Sequence, residues 1–382
     1  MTHLPSALLL FVAFTVMASG CGSNDADGAD DDDGATDAVA LGSDLEAALA
    51  ELADAGSVPG FAYAVVDADG IVETAGYGYA NLERGVEARP ETLFHIGSTH
   101  KAMNALLAAT LVEDGTLRWD TALADLAVDF DIEPNITVEQ LLTMTSGVPA
   151  DAEDDLAEDP GDPEDWGSVI FDQFDEARLL DTPGSVFDYS NISASAAGYA
   201  AVLAVDPDET DLHQGYLELF TERVLEPLGM SDSTLLASEA QATGRLAASY
   251  ELDAEGVRVL ESEDDDADLL APSGSLKSTV VDMARFLQML VADGVTADGS
   301  RIVTPETIAT MFEPALENYA MGWEQAASGD YLVHEGAFDG FASVIVIAPD
   351  DQMAMVLLTN SERAAVDLVT AAPELFFASI SG

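Results

Sequence analysis

The chain has 382 residues, is 48% hydrophobic and carries 72 acidic against 12 basic side chains, a formal net charge of −60. That length and apolar content are enough for one large domain or two smaller ones, and glycine and proline are ordinary in number, which excludes a low-complexity chain. A field of that sign repels phosphate backbones, so a nucleic-acid partner is excluded, and it reads as a salt-adapted surface.

The chain opens with an apolar run, Ala7 to Ala18, too short to span a bilayer and of signal-peptide length. Ala18-Ser19-Gly20-Cys21 follows, and Cys21 is the sole cysteine, so there is no disulfide framework. Small residues ending in a cysteine resemble the bacterial lipobox, which implies lipidation of Cys21 and a membrane partner through that lipid. The run before it lacks Lys and Arg, and Ala18 stands where leucine is commoner. The expected location is the bacterial cell envelope, lipid-anchored, with simple secretion as the alternative. Residues 22–42 are rich in Gly, Ser, Ala and Asp, including Asp30 to Asp33, and read as an acidic, disordered tether.

From residue 43 the pattern becomes that of a folded domain reaching about residue 380. A helix is predicted near Ser43, with Leu45, Ala48, Leu49 and Leu52 on one face. Phe61 to Val66 reads as a strand, Asp69-Gly70 as a hairpin turn and Ile71 to Tyr79 as the returning strand. The stretch from about 98 to 281 is mainly helical. Ala342 to Ile347 and Met353 to Leu358 read as buried strands bracketing a turn at Pro349-Asp350-Asp351, and a helix closes the chain. Strands at both ends with helices between predict an α/β (α+β) fold: one antiparallel sheet built from both chain ends, flanked by helices, with a mainly helical insert. Two acidic stretches in the insert, Asp151 to Asp165 and Glu261 to Asp268, do not match EF-hand spacing and read as solvated loops, so no metal and no cofactor is expected.

Only two lysines occur, and one of them, Lys101, stands three residues after Ser98. At the start of a helix this spacing places a hydroxyl and an amine one turn apart on one face, the arrangement for a serine nucleophile with an amine base. Further on, Tyr189 and Asn191 are one residue apart, close enough for both to face one cleft. His334-Glu335-Gly336-Ala337 precedes the strand pair near the C-terminus. Tyr79-Ala80-Asn81 and His213-Gln214-Gly215 repeat the second and third patterns, but in the wrong order or in a helical context. His100 sits at an unspecified position of the first pattern, and His95 and His213 read as structural or surface residues. G-x-S-x-G and H-E-x-x-H are absent.

These three segments resemble the S-x-x-K, Y-x-N and K/H-x-G motifs of the serine β-lactamase and penicillin-binding-protein superfamily. The variants are closest to class C β-lactamases, the D-alanyl-D-alanine carboxypeptidases resembling them and family VIII esterases. The resemblance runs from about Gly60 to Asn360 and includes Leu141-Leu142-Thr143-Met144-Thr145-Ser146-Gly147 and Gly336-Ala337-Phe338-Asp339-Gly340-Phe341. It implies a β-lactamase/transpeptidase-like fold and a serine hydrolase working through an acyl-enzyme. Ser98 would be the nucleophile, and Lys101 and Tyr189 would share the proton work. Asn191 would orient Lys101 and the substrate, His334 would line the opposite wall with Gly336, and the backbone N–H groups of Ser98 and Ala337 would form the oxyanion hole.

Glu335 occupies a position where a small hydroxyl residue often helps bind a substrate carboxylate. If it faces the cleft it repels that group, which tilts the substrate, a small-molecule or peptide acyl compound, toward a neutral ester or amide. An esterase or carboxypeptidase-like hydrolase is expected, with a β-lactamase or a non-turnover penicillin-binding sensor as alternatives. Met144 stands where many relatives have histidine and reads as structural. The acidic field of the chain raises the pKa of any amine or phenol, so burial of Lys101 is expected to offset it.

Overall fold

The computed structural model describes residues 43–381, apart from 129, 131, 133–134, 151–165, 254–255, 261–265 and 267. The leader, Cys21, the tether, the first acidic stretch and most of the second lie outside the described residues.

The strands are β1 (Gly60–Asp67), β2 (Gly70–Asn81), β3 (Val86–Glu87), β4 (Phe94–His95), β5 (Tyr250–Asp253), β6 (Gly256–Val259), β7 (Lys277–Ser278), β8 (Glu324–Gln325), β9 (Leu332–Phe338), β10 (Phe341–Ala348) and β11 (Met353–Thr359). Seven of them form one antiparallel sheet in the order β3-β2-β1-β11-β10-β9-β8. The two chain ends meet where β1 pairs with β11, Phe61 opposite Thr359 and Asp67 opposite Met353. This is the sheet predicted from the terminal strands. The hairpin turn before β2 is closed by Asp67 Oδ1, which accepts from the N–H groups of Asp69 and Gly70 at 2.8 and 3.0 Å.

The central strands are apolar throughout rather than alternating, because both sheet faces are covered. On one face Phe61, Tyr63, Val65, Val344, Val346 and Leu357 pack against the terminal helices Ser43–Gly56 and Val366–Ile380. On the other face Ala62, Ala64, Val66, Ile345, Ile347 and Val356 join the core of the helical region. That core is centred on the helix His100–Glu113, buried along nearly its whole length. The helix Asn191–Val205 packs on it, capped by Ser190 Oγ, which accepts from Ser193 N at 3.2 Å.

The structure departs from the sequence reading inside the insert. β4 pairs with β7, and Tyr250 to Val259 forms a hairpin of β5 and β6, where mainly helix was expected. The helix Val280–Val291 begins where the insert was expected to end. Two-residue strands carry no readable period, and the four-residue strands of the hairpin, with Tyr250 opposite Val259 and Leu252 opposite Val257, are too short to mark their alternation firmly.

Candidate active site

Ser98 lies in a short 3-10 turn, Gly97–Thr99, that leads into the helix His100–Glu113. Backbone N–H groups at such a start have no partner within the helix. The turn is pressed against β9. A Cβ on Gly97, whose φ is +52°, would stand 2.6 Å from Ala337 N, and one on Gly336 would stand 2.9 Å from Ser98 N. Only glycine fits at both places. The contact brings the amides of Ser98 and Ala337 to one patch beside the serine hydroxyl, a patch that could receive an oxyanion.

Lys101 is 2% exposed and Ser98 is 8% exposed. The Lys101 amine is 3.0 Å from Ser98 Oγ, 2.7 Å from Asn191 Oδ1 and 2.9 Å from the carbonyl oxygen of Ser273. The amide and carbonyl oxygens can only accept, so each takes an N–H of the amine. The serine hydroxyl lies 3.0 Å from the same nitrogen, within reach of the lone pair that the amine has in its neutral form. Burial, which disfavours the charged form, accompanies this arrangement as the charge of the chain requires. Ser273, in the short helix Ala271–Gly274, carries no side-chain signal for this role, since only its carbonyl is used.

Tyr189 is half-buried, with its ring centroid 4.9 Å from the Lys101 amine. Asn191 is the first residue of the next helix. Below them lie Met144, Ala194 and Tyr319, packed against Phe187 and Tyr189. Met144, at φ +58°, is therefore part of the floor of the second motif.

His334 is buried on β9. Its Nδ1 lies 2.6 Å from the carbonyl oxygen of Glu335, and its Nε2 lies 3.1 Å from the hydroxyl of Tyr319. Burial, and then Lys101 when it carries charge, lower its pKa to about 3. The imidazole is neutral at any working pH, with both nitrogens engaged inside the protein. Glu335 stands on the opposite face of β9, in register with Val344 and exposed. Desolvation around its carboxyl, and then Glu324, raise its pKa above the ordinary glutamate range. Its side chain leaves the strand away from the face that carries His334 and Gly336. The register thus withdraws the residue-level argument that Glu335 repels a substrate carboxylate.

The other histidines are engaged elsewhere. His100 is wholly buried, its Nε2 3.2 Å from the Tyr216 hydroxyl, and burial and then Lys101 lower its pKa to about 3. His95 lies flat on Phe338, ring centroids 3.7 Å apart, and its Nδ1 accepts from Gly97 N at 3.2 Å. His213 Nε2 is 3.2 Å from the carbonyl oxygen of Asp266, in the helix Leu212–Phe220. Tyr79 and Asn81, the other Y-x-N pair, lie at the end of β2.

Ser98, Lys101, Tyr189, Asn191, His334, Gly336 and Ala337 therefore meet at one place, where the first turn of a buried helix abuts an edge-proximal strand. Sequence reasoning missed the Ser273 carbonyl and the loop bearing Tyr319 and Gly322.

The chain is similar to "Protein flp" of Staphylococcus aureus (strain MW2), 26% identical over 316 residues that cover 80% of this chain and 60% of the relative. It is similar to "Unguisins hydrolase ungD'" of Aspergillus campestris, 26% identical over 342 residues, 84% of this chain and 62% of the relative. It thus spans about 60% of the length of these relatives. Among solved structures, the octameric penicillin-binding protein homologue from Pyrococcus abyssi superposes with a TM-score of 0.72 at 25% identity, covering 87% of this chain and 77% of that one. The Beta-lactamase family model matches residues 45–379, and the chain belongs to that family.

Proposed function

We propose that the chain is a serine hydrolase that cleaves a neutral ester or amide through an acyl-enzyme. The observation that carries this is the Lys101 amine, 3.0 Å from Ser98 Oγ and held by two groups that can only accept. In the proposed sequence the serine hydroxyl gives its proton to Lys101 as Oγ attacks the carbonyl carbon. The oxyanion is received by the N–H groups of Ser98 and Ala337. The tetrahedral intermediate collapses, the bond to the leaving group breaks, and Tyr189 supplies the proton that the leaving group takes up. Water then attacks the acyl-enzyme by the reverse proton path and releases the acid and free Ser98.

The preference for a neutral substrate rests on His334. A buried, neutral imidazole whose Nδ1–H and Nε2 are both used internally offers no cation and no spare donor to a substrate carboxylate. The name of the fungal relative, a hydrolase, supports turnover rather than mere capture. The test is labelling of the protein with a fluorophosphonate at high salt, followed by turnover of short p-nitrophenyl esters, nitrocefin and a D-Ala-D-Ala peptide. Labelling that vanishes in Ser98→Ala together with ester turnover supports the reading. Fast nitrocefin hydrolysis without ester turnover replaces it with a β-lactamase, and a penicillin adduct that never deacylates replaces it with a sensor.

We further propose that Cys21 carries a lipid and holds the protein at a bacterial envelope, on the strength of the leader-like run and the sole cysteine. Release of a Cys21→Ser variant into the medium, with the parent in the membrane fraction, is the expected outcome. Equal release of both points to simple secretion.

A further inference from the structure

We infer that Tyr319 is a positioning residue of this site, fixing through its hydroxyl the neutral form of His334 that is protonated on Nδ1, and through its ring the placement of Tyr189 beside Lys101. The inference rests on the serine hydrolase reading for its consequence, though not for its geometry.

The hydrogen-bond directions follow from chemistry. The Glu335 carbonyl can only accept, so the 2.6 Å contact requires the imidazole proton on Nδ1. Nε2 then bears a lone pair, and the hydroxyl 3.1 Å from it, that of Tyr319, must be the donor. Tyr319 is 2% exposed, and burial, followed by the influence of Tyr189 and Glu324, raises its pKa well above the ordinary phenol range. Its O–H is a permanent donor. Tyr319 thereby differs in kind from half-buried Tyr189, which can exchange protons with a ligand.

The ring does the second task. It meets Tyr189 at 89° with centroids 6.0 Å apart and Phe187 at 48° and 5.5 Å. Edge-to-face contacts of this kind hold ring planes as well as bury area. Tyr189 thus has the Lys101 amine over its face and Tyr319 at right angles to it.

The loop that carries Tyr319 is built to hold it there. Glu317 and Asn318 adopt left-handed backbone at φ +49° and +61°, Tyr319 N donates to Leu316 O at 2.9 Å, and Ala315 N donates back to Tyr319 O at 2.9 Å. Three residues on, a Cβ on Gly322 would lie 2.5 Å from Ala102 N and 2.7 Å from the Lys101 carbonyl carbon. One loop therefore touches the backbone of the first motif, the ring of the second and the imidazole of the third. The charged and titratable groups around His334 are Lys101 from the Ser98 helix, Tyr189 from the segment before the next helix, Tyr319 itself, Glu335 on the far face of its own strand, and Glu324 on the neighbouring strand β8, opposite Val333. An imidazolium there would repel the ammonium that forms when Lys101 takes the proton of Ser98.

The experiment uses the full chain at high salt. Histidine-selective ¹⁵N NMR reads the tautomer of His334, assigned by the signal lost in His334→Asn. Wild type should show protonated Nδ1 and bare Nε2, unchanged between pH 5 and 8. An Nε2–H tautomer, or titration in that range, overturns the inference even if no substrate is ever turned over. Kinetics then test the consequence, with turnover of a short p-nitrophenyl ester or, failing that, the rate of fluorophosphonate labelling. Tyr319→Phe should lower kcat about tenfold with KM within about twofold, the size of one lost hydrogen bond. In the His334→Asn background the same substitution should have no further effect. A full tenfold loss in both backgrounds shows that Tyr319 does not act through His334. If Tyr319→Phe does not fold, the wild-type NMR result still decides the tautomer.

Discussion

Asn191 Oδ1 lies 2.7 Å from the Lys101 amine, although the two residues are 90 positions apart in the chain. The contact joins the first turns of two helices, so it fixes the amine relative to Ser98 instead of leaving a flexible four-carbon stem to find it. An acceptor with no charge matters here. It takes an N–H from the amine while stabilising the ammonium less than a carboxylate would.

Replacing that acceptor tests the point in two directions. Asn191→Leu removes the bond and should lower kcat by roughly 10- to 100-fold through lost orientation. Asn191→Asp keeps an acceptor of the same shape but adds a carboxylate that favours the charged amine. Its loss at pH 7 should exceed that of Asn191→Leu and should shrink as pH rises. A pH profile of kcat/KM for both variants distinguishes the cases. Parallel profiles would show that the amide acts only by shape.

The approach of β9 to the serine turn gives a second test. A Cβ on Gly336 would lie 2.3 Å from Ile96 O and 2.9 Å from Ser98 N, both backbone atoms that cannot swing aside. Gly336→Ala should push the strand from the turn and separate the amides of Ser98 and Ala337. Loss of one oxyanion donor costs about 10²- to 10³-fold in rate. Gly274→Ala is the control, because its nearest neighbours are 3.6 Å away and its position is helical. Labelling rate and melting temperature, measured on both, should show a large loss of reactivity in the first and near-parental behaviour in the second.

The buried histidines set an acid limit to stability. His100 and His334 have folded pKa values of about 3, against about 6.5 when exposed. Between those values the unfolded chain binds protons that the folded chain does not, so stability is full above about pH 6.5 and falls as pH drops toward 3. Each histidine contributes a slope of about 1.4 kcal/mol per pH unit in that window. Asp282 and Glu335, whose pKa values are raised by burial, act in the opposite sense, as does relief of carboxylate repulsion. The difference between wild type and His100→Gln isolates one histidine. Its unfolding free energy, from urea titrations at pH 7 and pH 5 in constant high salt, should depend less steeply on pH than that of wild type. Equal slopes would mean that His100 is not held neutral.

The sequence made the fold and the three motifs visible for different reasons. β1, β10 and β11 are apolar runs long enough to be recognised, and their presence at both chain ends implied a shared sheet. Ser98, Lys101, Tyr189, Asn191 and His334 were visible as side chains of the right chemistry in the right order. What stayed hidden was contributed by backbone or by place. The Ser273 carbonyl has no residue signature. Tyr319 is one of nine tyrosines and acquires meaning only when the loop folds against His334. The face taken by Glu335 depends on strand register, since a shift of one residue would invert it.

The charge of the chain leads to the last prediction. Both lysines are buried, Lys101 at 2% and Lys277 at 0% exposure, and the Lys277 amine donates to Leu235 O at 3.2 Å. The exposed cationic side chains are therefore arginines, in surface pairs such as Arg89 with Glu87 and Arg118 with Asp120. Ten arginines cannot offset 72 acids, so the folded surface repels itself at low ionic strength. At about 0.1 M salt the screening length is about 10 Å, and at about 1 M it is about 3 Å, shorter than most spacings between surface carboxylates. The melting temperature should rise by on the order of 10 °C between 0.1 and 2 M KCl. Excluded-solute effects are removed by comparison with sucrose, which strengthens burial without screening charge. A rise with KCl but a much smaller one with sucrose supports surface repulsion as the limiting term. A melting temperature indifferent to KCl would show that the acidic surface is tolerated without screening, and any dependence of the labelling rate on salt would then have to arise at Lys101 and Tyr189 themselves.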